Sequence, residues 1–279
     1  MDTCLTGLIL GVSREDEIVV VPGEASPDDL ADPQVYCIEC GGAGGVELNN
    51  YDHHNTPRDL PCACKQAFAV KGGTAGLSKL VEYVALLDVG GPQALKPLSA
   101  IPPGQESAVS LSNVFSGMRL AVRDTKEQFL RGIELLRRVL DLGLDPFGPM
   151  PELPEWAHYI SAKRQEWARK EQVQAEARIF TTKGGLKAGY VCTDFVGAMG
   201  ALYELGCQVA IAFNLSFGKP PVRKYTIGGN RVRVDGLLSV LNDLEPGWGG
   251  PAHGTIIGSP RGGTQLDIDR IIAIVQEEL

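Results

Sequence analysis

Histidine is scarce in this chain, with four in 279 residues, and aromatic side chains make up only 6% of it. Positive charge is also short. Lys and Arg total 26 against 34 Asp and Glu, a formal net charge of -8. That balance argues against a long basic groove that tracks a nucleic-acid backbone, because such proteins carry a positive stripe. It leaves room for a short or mononucleotide-sized substrate. No apolar run approaches the ~20 residues of a membrane span. Leu5 to Val12 is apolar, but it has neither a basic flank before it nor a cleavage site, so it does not read as a signal peptide. The cytoplasm is the expected compartment, and the seven cysteines are expected to be reduced thiols.

With 44% hydrophobic and 22% charged residues, the composition is that of a soluble globular protein with a sizeable core. The length exceeds one ordinary compact domain, so two are expected. Thr3 to Gly11 reads as a short buried helix, and Ile18 to Gly23, β-branched and closed by Pro-Gly, as a central strand. Glu24 to Pro33 reads as a crossover with one helical turn, and Val35 to Glu39 as the next strand. Helices follow at 62–70 and 74–87, the latter with Leu77, Leu80, Val81, Val84 and Leu87 on one face. Residues 92–118 read as a loop with a short helix. Asp124 to Leu142 is an amphipathic helix stopped at Gly143, and Glu155 to Arg178 a charged connecting helix.

Beyond it, strands are expected at 177–180, 187–192, 209–214 and 255–258. A hairpin pairs 222–227 with 231–234 across Gly228-Gly229-Asn230. Helices are expected at 195–205, 235–244 and 266–278. The fold class is α/β: a parallel-sheet domain over 1–120, linker helices over 121–176 and a smaller α/β domain over 177–279.

Two of the four histidines stand together in Asp52-His53-His54. Upstream, Val35-Tyr36-Cys37-Ile38-Glu39 is an apolar strand ending in an acid and followed by glycines. Downstream, Tyr83 to Gly91 repeats that design around Asp88. Carboxylates and imidazoles at the ends of buried elements suit a site for hard or borderline divalent cations. In a parallel sheet, ligands bind at the carboxyl ends of the strands, where Glu39 would stand.

These residues resemble the DHH-family phosphoesterases, named for this tripeptide. That family includes RecJ-type exonucleases, oligoribonucleases, cyclic-dinucleotide phosphodiesterases and manganese-dependent pyrophosphatases. The resemblance is strongest around residues 35–90 and looser at the end. It implies an N-terminal metal-binding domain, a smaller substrate domain, and hydrolysis of a phosphate ester or anhydride between them. It implies manganese, magnesium or cobalt as cofactor, in a pair of sites sharing a bridging carboxylate. Carried over by position, Asp2, Glu39, His53 and Asp88 are the metal ligands. His54 lies near the substrate phosphate, and Asp52 orients the loop and its histidines. Gly249, Gly250, His253 and Arg261 resemble the family's glycine-rich substrate loop, with His253 displaced and Pro251 unexpected in it. Glycines there let backbone N–H groups approach a phosphate, and Arg261 can pair with one bidentately.

Two departures from the family pattern stand out. Glu39 is one methylene longer than the usual Asp. The first motif, His-x-Asp-x-Asp, is represented only by Asp2, so the two-metal site is incomplete in the sequence as given. An upstream strand of about ten residues is expected to supply the remainder.

The expected substrate is a small phosphate compound such as a short oligonucleotide or nucleotide phosphate, with neither long nucleic acid nor membrane as partner. A homodimer is compatible with the chain. Two other readings stay open. One is a catalytically degenerate nucleotide-binding protein that lacks the first metal motif. The other is a structural zinc protein built on Cys37, Cys40, Cys62 and Cys64. Strand alternation points Cys37 and Cys40 to opposite faces, which counts against the second.

Overall fold

A computed structural model describes residues 1–100 and 109–279. The chain divides into two compact units, Met1–Arg164 and Gln165–Leu279. The division falls inside the connecting helix, upstream of the boundary near residue 176 read from the sequence.

The first unit holds α1 (Asp2–Leu10), α2 (Pro27–Ala31), β1 (Cys37–Ile38), β2 (Asn50–Tyr51), α3 (Ala63–Lys71), α4 (Ala75–Leu95), α5 (Leu111–Ala121), α6 (Thr125–Asp141) and the start of α7 (Ala157–Glu176). Three of these helices begin at a side-chain cap. Ser26, Ser110 and Asp124 cap α2, α5 and α6 by accepting a backbone N–H three residues on. Gly11 ends α1 in the left-handed conformation, with φ 82°. The helices share one core, in which Leu5, Leu80, Val84, Leu111, Met118, Leu136 and Ile160 are fully or almost fully buried.

The first unit has far less strand than expected. Ile18 to Gly23 is no strand. Val19 and Val20 are 72% and 52% exposed. The double-sided parallel sheet is reduced, among the described residues, to the two-residue parallel pair β1–β2, with Cys37 opposite Asn50 and Ile38 opposite Tyr51. Helix α4 does not end at 87 but runs through Asp88, with non-helical backbone at Gly91, φ 61°. The loop with a short helix expected over 92–118 holds the end of α4 and, from Leu111, α5. Its residues 101–108 lie outside the described part.

The second unit holds the rest of α7, β3 (Arg178–Thr181), β4 (Lys187–Cys192), α8 (Ala198–Glu204), β5 (Val209–Phe217), β6 (Val222–Gly229), α9 (Leu238–Leu244), β7 (Ile256–Gly258) and α10 (Ile268–Glu278). Its five strands run in the order β3-β4-β5-β6-β7, with only β4–β5 parallel. Alternation along β5 divides the core. Val209, Ile211 and Phe213 join Ile271, Ile274 and Val275 of α10, while Ala210 and Ala212 face Ala201 and Leu202 of α8. The expected hairpin across Gly228-Gly229-Asn230 is absent. β6 pairs instead with β5, and the connecting turn lies at 218–221. Gly229 is needed for close approach, because a Cβ there would lie 2.1 Å from the Val232 carbonyl oxygen.

Candidate metal centre

The parallel pair β1–β2 places two functional segments side by side. Glu39 follows β1 and Asp52-His53-His54 follows β2, so both leave the carboxyl ends of adjacent strands. The Glu39 N–H donates to the Tyr51 carbonyl at 2.9 Å and pins the two together. Glu39 itself has φ 57°, a left-handed conformation that is costly for a side-chain-bearing residue. The glycines after it let the chain fold back. Gly42 has φ 67°, and a Cβ on it would stand 2.8 Å from the Asn50 side chain.

Asp52 is buried and fully engaged. Its Oδ2 accepts the Gly41 N–H at 2.6 Å. Its Oδ1 accepts the His54 N–H at 2.8 Å and lies 2.9 Å from His54 Nδ1. Burial alone would raise this carboxyl. The N–H groups of His54 and Gly41 outweigh it and hold Asp52 below the usual carboxylate range. Asp52 thus stays an anion and orients His54. Gln66, buried on α3, closes the loop from behind by donating to the carbonyls of Asp52 and Pro61.

His53 is the hub. Its Nδ1 lies 3.2 Å from Glu39 Oε1, and its Nε2 lies 3.3 Å from Asp88 Oδ2. Glu39 Oε2 reaches within 3.4 Å of His54 Nδ1. Ligand atoms of Glu39, Asp52, His53 and His54 all fall within 4.8 Å of one another, and so do those of Asp2, His53 and Asp88. Asp88 reaches the site from a helix, not from a strand end.

Asp2 enters from the first turn of α1. Its two oxygens accept the N–H groups of Ala63 and Cys64, at 2.9 and 2.8 Å, so it caps the start of α3. Burial pushes the Glu39 carboxyl up to about 8, and the negative charges of Asp2, Asp52 and Asp88 add to this. Burial raises Asp88 as well, with Asp2 adding and His53 opposing.

The donor set fits a divalent cation. Carboxylates gathered around one imidazole repel each other, and Glu39 Oε1 and His53 Nδ1 are buried with no hydrogen-bond partner. A cation would satisfy both.

The four cysteines do not assemble. Among the described residues, Cys62 and Cys64 group with Asp2, and neither Cys37 nor Cys40 shares a ligand group with them. The Cys37 thiol donates to the Asp29 carbonyl at 3.8 Å.

The glycine-rich segment belongs to the second unit. Gly249 pairs with Gly258, and its N–H is committed to the Gly258 carbonyl. Gly250 lies where a Cβ would stand 2.1 Å from the Ile256 carbonyl oxygen, so glycine is required by the backbone there. His253 is exposed, with Nδ1 2.8 Å from the Thr255 hydroxyl. Arg261 is exposed and close enough to Lys224 to help burial lower the lysine's pKa.

Sequence reasoning passed over Gln66 and Asn50, and it grouped Cys62 and Cys64 with Cys37 and Cys40 rather than with Asp2. Asn50, directly before Tyr51-Asp52, donates to the Leu30 carbonyl at 2.8 Å. Buried amides next to the Asp-His-His segment were the available signal, since such groups need partners.

Neither a protein-family model nor a curated protein sequence matches the chain. Among solved structures, it is similar to the pGpG-specific phosphodiesterase PggH from Vibrio cholerae. The likeness spans 98% of this chain and 91% of that one, at 17% identity and a TM-score of 0.51. The chain shares the fold of that phosphodiesterase. A DHH domain from a member of the s1p family of ribosomal proteins is also similar, at 10% identity and a TM-score of 0.35, over 70% of this chain and 48% of that one. In this chain the Asp-His-His segment is the junction between the two ligand groups. Among the described residues, no helix is long and apolar enough to cross a membrane.

Proposed function

We propose that this chain is a metal-dependent phosphoesterase acting on a small phosphate compound, with a short oligonucleotide or nucleotide phosphate as the substrate class. The observation that carries the reading is the convergence on His53 of Glu39 and Asp88 at 3.2 and 3.3 Å, with Asp2 grouped with His53 and Asp88. Manganese is the expected ion, with magnesium or cobalt as substitutes. The mixed carboxylate and imidazole donors support that choice. Bound there, divalent ions supply positive charge for the phosphoryl oxygens and acidify a water.

The chain's own residues do the remainder. Asp52, held as an anion, accepts the proton on His54 Nδ1 and so turns Nε2 outward. The half-exposed His54 can then meet the substrate phosphate, donating to it when protonated. Arg261 and Lys224, two cations near each other, support binding of an anionic group in the second unit. The DHH fold shared with a phosphodiesterase named for pGpG supports a dinucleotide-sized substrate, as does the net charge of -8.

The test is hydrolysis of a 5′-phosphorylated dinucleotide with manganese present, alongside a long single strand. Turnover of the dinucleotide that is abolished in His53→Ala, with little on the long strand, is the expected result. Processive, strongly salt-dependent digestion of the long strand would overturn the compact-substrate reading. No turnover with any divalent ion would favour the nucleotide-binding alternative.

A further inference from the structure

Two buried thiols beside Asp2 stand at one corner of the centre without a part in the chemistry above. Cys62 is the N-cap of the nine-residue helix α3, and Cys64 is its second residue. Their sulfurs are 3.6 Å apart. Asp2 faces them from α1, and one of its oxygens lies within 4.8 Å of both sulfurs. All three residues are buried.

We propose that Asp2, Cys62 and Cys64 form a thiolate-containing cation site, joined to the Asp2, His53 and Asp88 group through the shared Asp2 carboxylate. The proposal rests on the reading of the neighbouring centre as a divalent-ion site. It adds that the centre has a hard end and a soft end.

Distance favours a shared ion. Two sulfurs bound ~2.3 Å from a tetrahedral zinc stand about 3.8 Å apart. The observed 3.6 Å, across which the two thiols hydrogen-bond in the metal-free chain, is near that value and far from the ~2.05 Å of a disulfide. Asp2 also has capacity left. Each of its oxygens accepts one N–H, which leaves further lone pairs for an ion. Donor chemistry sets the class of ion. A pair of thiolates with a carboxylate selects zinc, cobalt or ferrous iron over magnesium and manganese. This corner therefore takes the softer class of ion, while Glu39, His53 and Asp88 suit the harder one.

Cobalt(II) titration of the full chain under reducing conditions tests this. The wild type should develop a near-ultraviolet thiolate-to-cobalt charge-transfer band. Cys62→Ser and Cys64→Ser should each lose it, whereas Cys37→Ser and Cys40→Ser should keep it. Visible cobalt absorption without the charge-transfer band would overturn the proposal, and so would a band that survives both Cys62→Ser and Cys64→Ser. Should the serine variants not fold, X-ray absorption on the zinc-loaded wild type decides. Sulfur neighbours at about 2.3 Å support the site, and a shell of nitrogen and oxygen alone refutes it. Failure of the hydrolase reading is visible separately, as a thiolate band in a protein that turns over no dinucleotide.

Discussion

His53 Nδ1 lies 3.2 Å from Glu39 Oε1, and both atoms are buried without a hydrogen bond. A proton or a cation must lie between such a pair for the contact to be favourable. The two therefore compete. With the Glu39 carboxyl raised to about 8, the metal-free folded protein holds a proton that the unfolded chain gives up near its ordinary value of about 4.3. The native state binds more protons, so the stability from this group is fullest below the unfolded value and is lost as pH rises to about 8. Urea unfolding of the metal-free wild type, minus that of Glu39→Gln, should slope downward over this window and flatten above it. Divalent-ion affinity should move the other way, rising with pH up to about 8, with proton release in calorimetry. An affinity independent of pH would count against Glu39 as a ligand.

Asp52→Asn should lower kcat by about 10–100-fold, the usual cost of losing a partner that orients a site histidine. The amide keeps one acceptor oxygen but turns its NH2 group toward an existing N–H, either that of Gly41 or those of His54. Steady-state kinetics measures the loss. An unchanged kcat would mean that the orientation of His54 does not matter.

Asp2→Asn tests the join between α1 and α3. One oxygen can no longer serve both N–H groups that Asp2 now satisfies, which leaves a buried donor unpaired. The expected cost is about 1–3 kcal/mol of stability in the metal-free protein, read from urea unfolding.

Gly42→Ala should destabilise by about 1–3 kcal/mol. The added Cβ meets the buried Asn50 side chain at 2.8 Å, on a backbone with φ 67° that alanine resists. The expected signature is a lower urea midpoint with an unchanged slope.

Arg261→Ala should raise KM more than it lowers kcat, because the lost contact is to a ground-state phosphate. Equal effects on both substrates, dinucleotide and long strand, would be expected only if Arg261 meets a single phosphate group.

The helices and most strands of the second unit were legible because their signals are local. The cap at Asp124 and the β-branched run from Val209 need no knowledge of distant residues. The Asp-His-His segment and the acids Glu39 and Asp88 stood out by residue type and position, and the structure brings them together. What misled was propensity without a partner. Ile18 to Gly23 has the composition of a buried strand, but its two central valines are exposed. Gly228-Gly229-Asn230 carries a turn signature, yet the glycines serve close packing against Val232 and against Met199 and Tyr203 of α8. The cap that Asp2 places on α3 joins residues 61 positions apart, and no spacing rule announces it.

The left-handed backbone at Glu39 sets two kinds of selection against each other. Glycine would sit there without steric strain, and it would also remove a carboxyl whose burial is unfavourable. Directed evolution for heat tolerance alone should therefore enrich Glu39→Gly, and each gain in melting temperature at that codon would come with the loss of a ligand. A natural population that keeps glutamate here carries the strain for the sake of the chemistry.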